Sequence, residues 1–297
     1  MPNQAGAAVP RWPDFFIVGA AKAGTTSLFD SLAEHPQVFT PRVKEPHHFS
    51  TVAPPPERRA FFPSIRDEQE YLALFAAARA DQVVGEASTS YIWDPATAAR
   101  IHAVAPGARI IAMLRDPVER AWSHYLNDVR EGFETRSFSD AIEQDVSDSD
   151  GLWGDASLYV QLGFYTDQLR RYLETFPDTL VLFFEEFVRD VPGHLDRTCD
   201  FIGVTRFDDA AAAARTSNEY ARPRNRLARA TLGSGLVREV ARAVAPQKLR
   251  TFLRGQLQKK EPKPQMPADA RTRLEGLYAG EAESLHALLG RRVPWSE

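Results

Sequence analysis

Phe15-Phe-Ile-Val-Gly-Ala-Ala-Lys-Ala-Gly-Thr-Thr-Ser-Leu28 decides how this chain is read. Phe15–Val18 is a short apolar run with the pattern of a buried strand. It feeds a small-residue loop holding Gly19, Lys22 and Gly24, and Thr25, Thr26 and Ser27 then open an apolar helix. A strand, a small-residue loop and a helix N-terminus form an anion site. Backbone N–H groups and the helix dipole converge on one spot, with a lysine beside it. The order is not that of a Walker A loop, which sets its lysine after the last glycine. Lys22 precedes Gly24, which points away from nucleoside triphosphate hydrolysis and toward another phosphate-bearing donor.

Outward from this loop, further strand candidates are Val83–Val84, Arg109–Leu114 and Leu180–Phe184. Helical patterns separate them, at Thr26–Glu34, Asp67–Ala80, Pro95–Ala103, Val118–Val129, Gly163–Thr175 and Val191–Ile202. Strands alternating with helices predict an α/β fold: a P-loop-like, mostly parallel central sheet flanked by helices. Ligands of such sheets bind at the carboxyl ends of the strands. Residues 1–297 read as one domain, with a flexible stretch at 1–13 and a mainly helical C-terminal part at 211–297 that ends in a helix over Ala268–Leu289. Two stretches interrupt the alternation. Thr51–Arg66, with Pro54-Pro-Pro56, reads as an exposed loop. Phe133–Trp153, acidic and serine-rich, reads as a solvated surface or a flexible cover.

A length of 297 residues is ample for a buried core. The net charge of −4 argues against a nucleic-acid partner, whose binding surface is normally basic. The single cysteine, Cys199, allows no intrachain disulfide and sits in the apolar run Leu195–Val204, so it reads as a buried structural thiol. No apolar run approaches the roughly 20 residues that span a bilayer. Met1–Pro13 lacks the basic-then-apolar pattern of a signal peptide. The expected location is therefore the cytoplasm of a bacterium.

Two further motifs carry chemistry. In Ile110-Ile-Ala-Met-Leu-Arg-Asp-Pro-Val-Glu-Arg-Ala-Trp-Ser-His-Tyr125 a strand delivers Arg115 at its carboxyl end, and Asp116-Pro117 starts a helix. Ser123 follows about two turns into that helix. Arg115 stands where a bidentate phosphate contact is needed; as a lone feature it could equally cap the helix or pair with Asp116 or Glu119. Two anion sites on neighbouring strand ends suggest a nucleotide phosphorylated at two places. Lys44-Glu-Pro-His-His-Phe49 offers a carboxylate and two imidazoles in a proline-stiffened loop, suited to general-base work by Glu45, His47 or His48. The adjacent histidines lack the further Cys or His that a zinc site needs, so no metal is expected.

Together and in this order the three elements resemble the sulfotransferases that use 3′-phosphoadenosine-5′-phosphosulfate. Phe16–Ser27 looks like the 5′-phosphosulfate loop of that family, Arg115–Ser123 like its 3′-phosphate element, and Lys44–Phe49 like the base loop of the carbohydrate (heparan-sulfate-type) branch. Smaller echoes are Gly85-Glu-Ala-Ser-Thr-Ser-Tyr91, Gly163-Phe-Tyr165 and Phe183-Phe-Glu-Glu-Phe187. The resemblance covers roughly Phe15 to Val204. The cysteine pair usual near the C-terminus of the Golgi members is not found in this sequence, and no membrane anchor like theirs is expected.

The resemblance implies transfer of a sulfuryl group from that donor to an acceptor hydroxyl, leaving 3′-phosphoadenosine-5′-phosphate. Lys22 would stabilise the departing phosphate. Ala23, Gly24, Thr25, Thr26 and Ser27 would hold the 5′-phosphate, and Arg115 and Ser123 the 3′-phosphate. Glu45 would be the base, with His47 or His48 in reserve. Tyr220, Arg222 and Arg224 fall where related enzymes close a basic loop over the donor; they also fit a charged surface turn. The acceptor would be a small molecule, glycan or glycolipid. Phe49, Phe61, Phe62, Tyr91, Trp93 and Trp153 could line its pocket or belong to the core. Magnesium is not expected, because Arg115 occupies the strand end where a Walker B aspartate would stand. The competing readings are a P-loop kinase or other ATP-dependent phosphotransferase, and a non-catalytic nucleotide-binding module.

Overall fold

A computed structural model describes residues 11–52, 62, 64–147, 158–209 and 263–296, and the backbone of 221–223 and 258–260. Five strands form one parallel sheet: β1 (Phe15–Ile17), β2 (Val38–Phe39), β3 (Val83–Ala87), β4 (Arg109–Leu114) and β5 (Leu180–Phe183), in the order β2-β3-β1-β4-β5. The expected fold is present. Phe15 pairs with Gly85 on one side and Arg109 on the other, placing β1 at the centre. Strands β1, β4 and β5 are apolar on both faces because helices cover both, which removes the alternation of a half-exposed sheet.

Helices α1 (Thr25–Ala33), α2 (Glu68–Ala73), α3 (Ser90–Trp93) and α4 (Thr97–Val104) connect the first four strands. Helix α5 (Pro117–Glu131) leaves β4, capped by Asp116, whose carboxylate accepts from the Val118 N–H at 2.9 Å. Then come α6 (Phe138–Ser147), α7 (Tyr165–Thr175), α8 (Phe184–Arg189) and α9 (Val191–Ile202). Val18, Ser88, Arg115 and Phe184 each follow a strand directly, so the loops that carry the candidate residues share one edge of the sheet.

Several expectations need correction. Within Phe133–Trp153, the described residues 133–147 are not merely a solvated loop. Phe138, Ala141, Ile142 and Asp145 recur at helical spacing and are buried in α6. The Asp145 carboxylate accepts the Val160 and Gln161 N–H groups, so its charge serves the interior. Trp12, expected to be flexible, packs against His48, Phe49 and Tyr71. The helix expected over Ala268–Leu289 is two, α10 (Ala268–Leu277) and α11 (Glu281–Leu289), separated where Gly280 takes φ 87°. The C-terminal part also contains an antiparallel pair, β6 (Ala221–Pro223) with β7 (Gln258–Lys260), which the helical reading missed. Cys199 is fully buried, as expected.

Candidate active site

The small-residue loop bends where the sequence places its glycines. A Cβ on Gly19 would lie 2.5 Å from the Met113 carbonyl oxygen. Gly24 takes φ 92° and sits against the Phe184 ring. Among the described residues no side chain caps α1, and its first turn holds no acidic residue, so the N-terminal dipole suits an external anion. Ala23 and Thr25 are buried, while Thr26 and Ser27 are half-buried. Among the described residues the non-glycine positions with positive φ are Lys22 (71°) and His47 (51°), both candidate site residues.

Lys22 points across the loop to α5, where its Nζ donates to Asn127 Oδ1 at 3.3 Å. Burial, followed by the nearby Arg130 guanidinium, lowers its pKa to about 8. Arg130 donates to the same Asn127 oxygen at 2.6 Å. Two cations thus share one neutral acceptor, and Arg130 also pairs with Glu131 at 3.1 Å.

Arg115 neither caps α5 nor forms an ion pair with Asp116 or Glu119. Its Nη1 donates to the Lys22 carbonyl oxygen at 3.1 Å, and its guanidinium lies 4.5 Å over the Phe184 ring. The Arg115 Nε is buried with no hydrogen-bond partner among the described residues. That orphaned donor, the uncapped α1 and the Gly24 cradle fit a ligand bearing two separate anionic groups. Ser123 is half-buried on α5, with Glu119 and Asn127 one turn to either side on the same face.

Glu45 Oε2 accepts from the Thr89 N–H at 2.9 Å and from the Thr89 hydroxyl at 2.6 Å, while Oε1 meets Lys44 Nζ at 3.0 Å. Burial alone would raise the carboxyl pKa. The Lys44 ammonium, His47 and the Thr89 hydrogen bonds outweigh it and hold the value at about 2. His47 Nε2 lies 3.6 Å from Glu45 Oε2, and its Nδ1 is 2.7 Å from the Ser90 hydroxyl. Burial lowers the imidazole pKa to about 4 against the pull of Glu45, so His47 is neutral at ordinary pH.

His48 is placed differently from its neighbour. Its Nδ1–H donates to the Ile65 carbonyl at 2.9 Å, and its ring stacks on Tyr71 at 4.1 Å. Phe49 and Tyr91, 2% and 0% exposed, are core residues and not pocket lining. Trp93 packs on the small cluster of Ala21, Leu158 and Leu162. Phe61, Trp153, Tyr220 and Arg224 lie outside the described residues. Of Arg222 only the backbone is described; its strand, β6, lies against α5.

Thr89, Lys44, Asn127, Arg130 and Lys263 join the site without having been singled out. Thr89 stood in the quoted stretch Gly85–Tyr91, and Asn127 lies one helical turn after Ser123, so both had a signal. Lys263 had none. It belongs to a cleft with Glu119, Trp122, Pro264, Gln265, Met266 and Arg271 beside α5. There Glu119 pairs with Lys263 at 3.7 Å and Arg271 at 2.6 Å. Burial lowers the Lys263 pKa, Glu119 opposes, and the charge of Arg115 adds to the lowering.

The chain as a whole is similar to known proteins. The chain is 30% identical to heparan sulfate glucosamine 3-O-sulfotransferase 6 of Homo sapiens, over 69% of this chain and 56% of the relative. It is 27% identical to carbohydrate sulfotransferase 15 of Homo sapiens, over 69% of this chain and 46% of the relative. The chain thus spans about half the length of the curated relatives it matches. The crystal structure of a sulfotransferase from Alicyclobacillus acidocaldarius superposes with a TM-score of 0.72 at 30% identity, covering 95% of this chain and 97% of that one. Among the described residues no helix is long and apolar enough to cross a membrane. Residues 13–209 match the model of the Sulfotransferase family, and the chain belongs to that family.

Proposed function

We propose that this protein transfers the sulfuryl group of 3′-phosphoadenosine-5′-phosphosulfate to a hydroxyl of a carbohydrate or similarly polyhydroxylated acceptor. The observation that carries this reading is the hydrogen bond from Arg115 Nη1 to the Lys22 carbonyl, which joins two anion-binding elements into one site. A nucleotide with phosphates at both the 5′ and 3′ positions matches two such elements; ATP has no group for the second. Arg115 and Ser123 take the 3′-phosphate, with Lys263 as a further cation. The first turn of α1 and Lys22 take the 5′-phosphate.

In the transfer the sulfur–oxygen bond to the phosphate breaks as the acceptor oxygen forms its bond to sulfur. The acceptor proton passes to Glu45, and the Lys22 ammonium offsets the charge gathering on the leaving phosphate. Positioning and charge stabilisation supply most of the rate, by analogy with phosphoryl transfer. A carboxylate with a pKa of about 2 is a weak base in the free site, and its pairing with Lys44 contributes to that. An acceptor that displaces Lys44 from Oε1 would raise the basicity when it is needed. The Thr89 N–H and hydroxyl orient the carboxylate, and neutral His47 lies 3.6 Å away.

The names of the matched relatives support a carbohydrate acceptor. The test is incubation with the donor and a panel of glucosamine-containing oligosaccharides, galactosamine-containing oligosaccharides and phenols, read by mass spectrometry. Gain of a sulfuryl group on an oligosaccharide is expected. Gain on phenols alone would overturn the carbohydrate part of the proposal.

A further inference from the structure

Glu86 is the next-to-last residue of β3, fully buried, and has no part in the chemistry described above. A buried carboxylate is costly, and an apolar residue would pack a central strand more cheaply. Its surroundings indicate what it does there. The Tyr71 and Tyr91 hydroxyls both donate to Glu86 Oε1 at 2.7 Å, and the Ser88 hydroxyl donates to Oε2 at 2.9 Å.

Each of these three groups also holds one of three consecutive residues in the base loop. The Ser88 oxygen accepts the His47 N–H at 3.2 Å. The Tyr91 oxygen accepts the Phe49 N–H at 3.3 Å. The Tyr71 ring stacks on His48. A hydroxyl has one proton to give and lone pairs to receive with. Once its proton is committed to Glu86, its oxygen faces the loop amide. The order amide, hydroxyl, carboxylate therefore runs one way, and the charge on Glu86 sets its direction.

We propose that Glu86 is the positioning residue of the base loop: through Ser88, Tyr91 and Tyr71 its carboxylate fixes residues 47–49 and so the approach of Glu45. The proposal rests on the reading of Glu45 as the base. Burial raises the Glu86 pKa to about 7, with the hydroxyls opposing and Glu45 adding to the rise. The titratable groups around it are Tyr71 from α2, Tyr91 from α3, Tyr172 from α7 and Glu45 from the loop. Protonation below neutral pH forces one hydroxyl to turn, which loosens the loop.

The test compares wild type with Glu86→Gln, Ser88→Ala and Tyr91→Phe. Release of labelled sulfate from the phosphosulfate donor in water requires no identified acceptor. Donor turnover in Glu86→Gln should fall about 10- to 100-fold, the scale of a small misplacement of a catalytic group. Binding of 3′-phosphoadenosine-5′-phosphate should be unchanged. The rise in rate through about pH 7 should flatten, while thermal stability at about pH 8 is kept or improved because a desolvated charge is gone. Ser88→Ala and Tyr91→Phe should each lose several-fold, and neither loss should multiply fully with that of Glu86→Gln.

Wild-type turnover and pH dependence in Glu86→Gln, or fully multiplicative losses, would overturn the proposal. If that variant does not fold, the Ser88→Ala/Tyr91→Phe pair decides: non-multiplicative losses support the proposal and unchanged rates reject it. Amide hydrogen exchange at His47 and Phe49 separates this inference from the functional reading. Faster exchange in Glu86→Gln (or in the two hydroxyl variants) supports the anchor even if no donor is turned over, and unchanged exchange rejects it.

Discussion

Arg115 Nη1 donates to the carbonyl oxygen of Lys22 at 3.1 Å, tying the strand end after β4 to the loop after β1. With Arg115 assigned to the second phosphate, its loss should act mainly there and less on the first, whose loop keeps its own glycines and helix N-terminus. Arg115→Ala is expected to weaken 3′-phosphoadenosine-5′-phosphate by about 10- to 100-fold, the worth of one charge-assisted hydrogen bond. Adenosine 5′-monophosphate should lose far less. Calorimetric titration of both nucleotides checks this, and equal losses would remove the assigned role.

The depressed pKa of Lys22, about 8, gives nucleotide binding a pH dependence of known sign. An anion beside the amine favours the ammonium form, so binding above about pH 8 takes up a proton and affinity falls as pH rises. Calorimetry in buffers of different ionisation enthalpy should detect that uptake in wild type and not in Lys22→Ala. The same variant should lose about 10²- to 10³-fold in donor turnover, the scale for removing one preorganised donor at a developing charge.

Glu45, with its carboxyl held at about 2, stays ionised across the working range, so an acid limb in the rate does not come from its protonation. Glu45→Gln should lower turnover by about 10²- to 10⁴-fold and leave nucleotide affinity unchanged. Its stabilising contribution has a defined window. The folded pKa lies below the unfolded one, so the contribution is present above the ordinary carboxyl pKa and is lost as pH falls toward about 2. Glu45→Gln should thus unfold at lower urea than wild type at neutral pH, and this difference should shrink at about pH 3.

Cys199 is fully buried, and burial with two nearby aspartates raises its thiol pKa to about 11. It should resist a disulfide reagent in the native protein at neutral pH and react stoichiometrically in denaturant. Fast reaction of the folded protein would contradict the placement.

The alternating strands and helices were legible because β1, β4 and β5 are apolar runs bounded by loop residues. Strand β2 escaped because two residues, Val38–Phe39, leave no periodicity to see. Helix α6 was hidden by composition: its acidic and serine residues mask the four buried positions, one of them Asp145 itself. Lys22, Arg115 and Glu45 could be read from local motif order. Lys263 could not, because it meets the site only through packing beside α5. His48 is turned away from the carboxylate: the backbone takes φ 51° at His47, and while His47 faces Glu45, His48 stacks on the Tyr71 ring.

The most direct test of the account is donor choice, measured with purified protein in parallel reactions containing EDTA or added magnesium. The protein is given sulfur-labelled 3′-phosphoadenosine-5′-phosphosulfate or γ-phosphorus-labelled ATP, each with the same oligosaccharide acceptors. The account predicts that label moves from the phosphosulfate to an acceptor without added magnesium, and that Lys22→Ala abolishes the transfer. Magnesium-dependent transfer from ATP, with the phosphosulfate left intact, would contradict it.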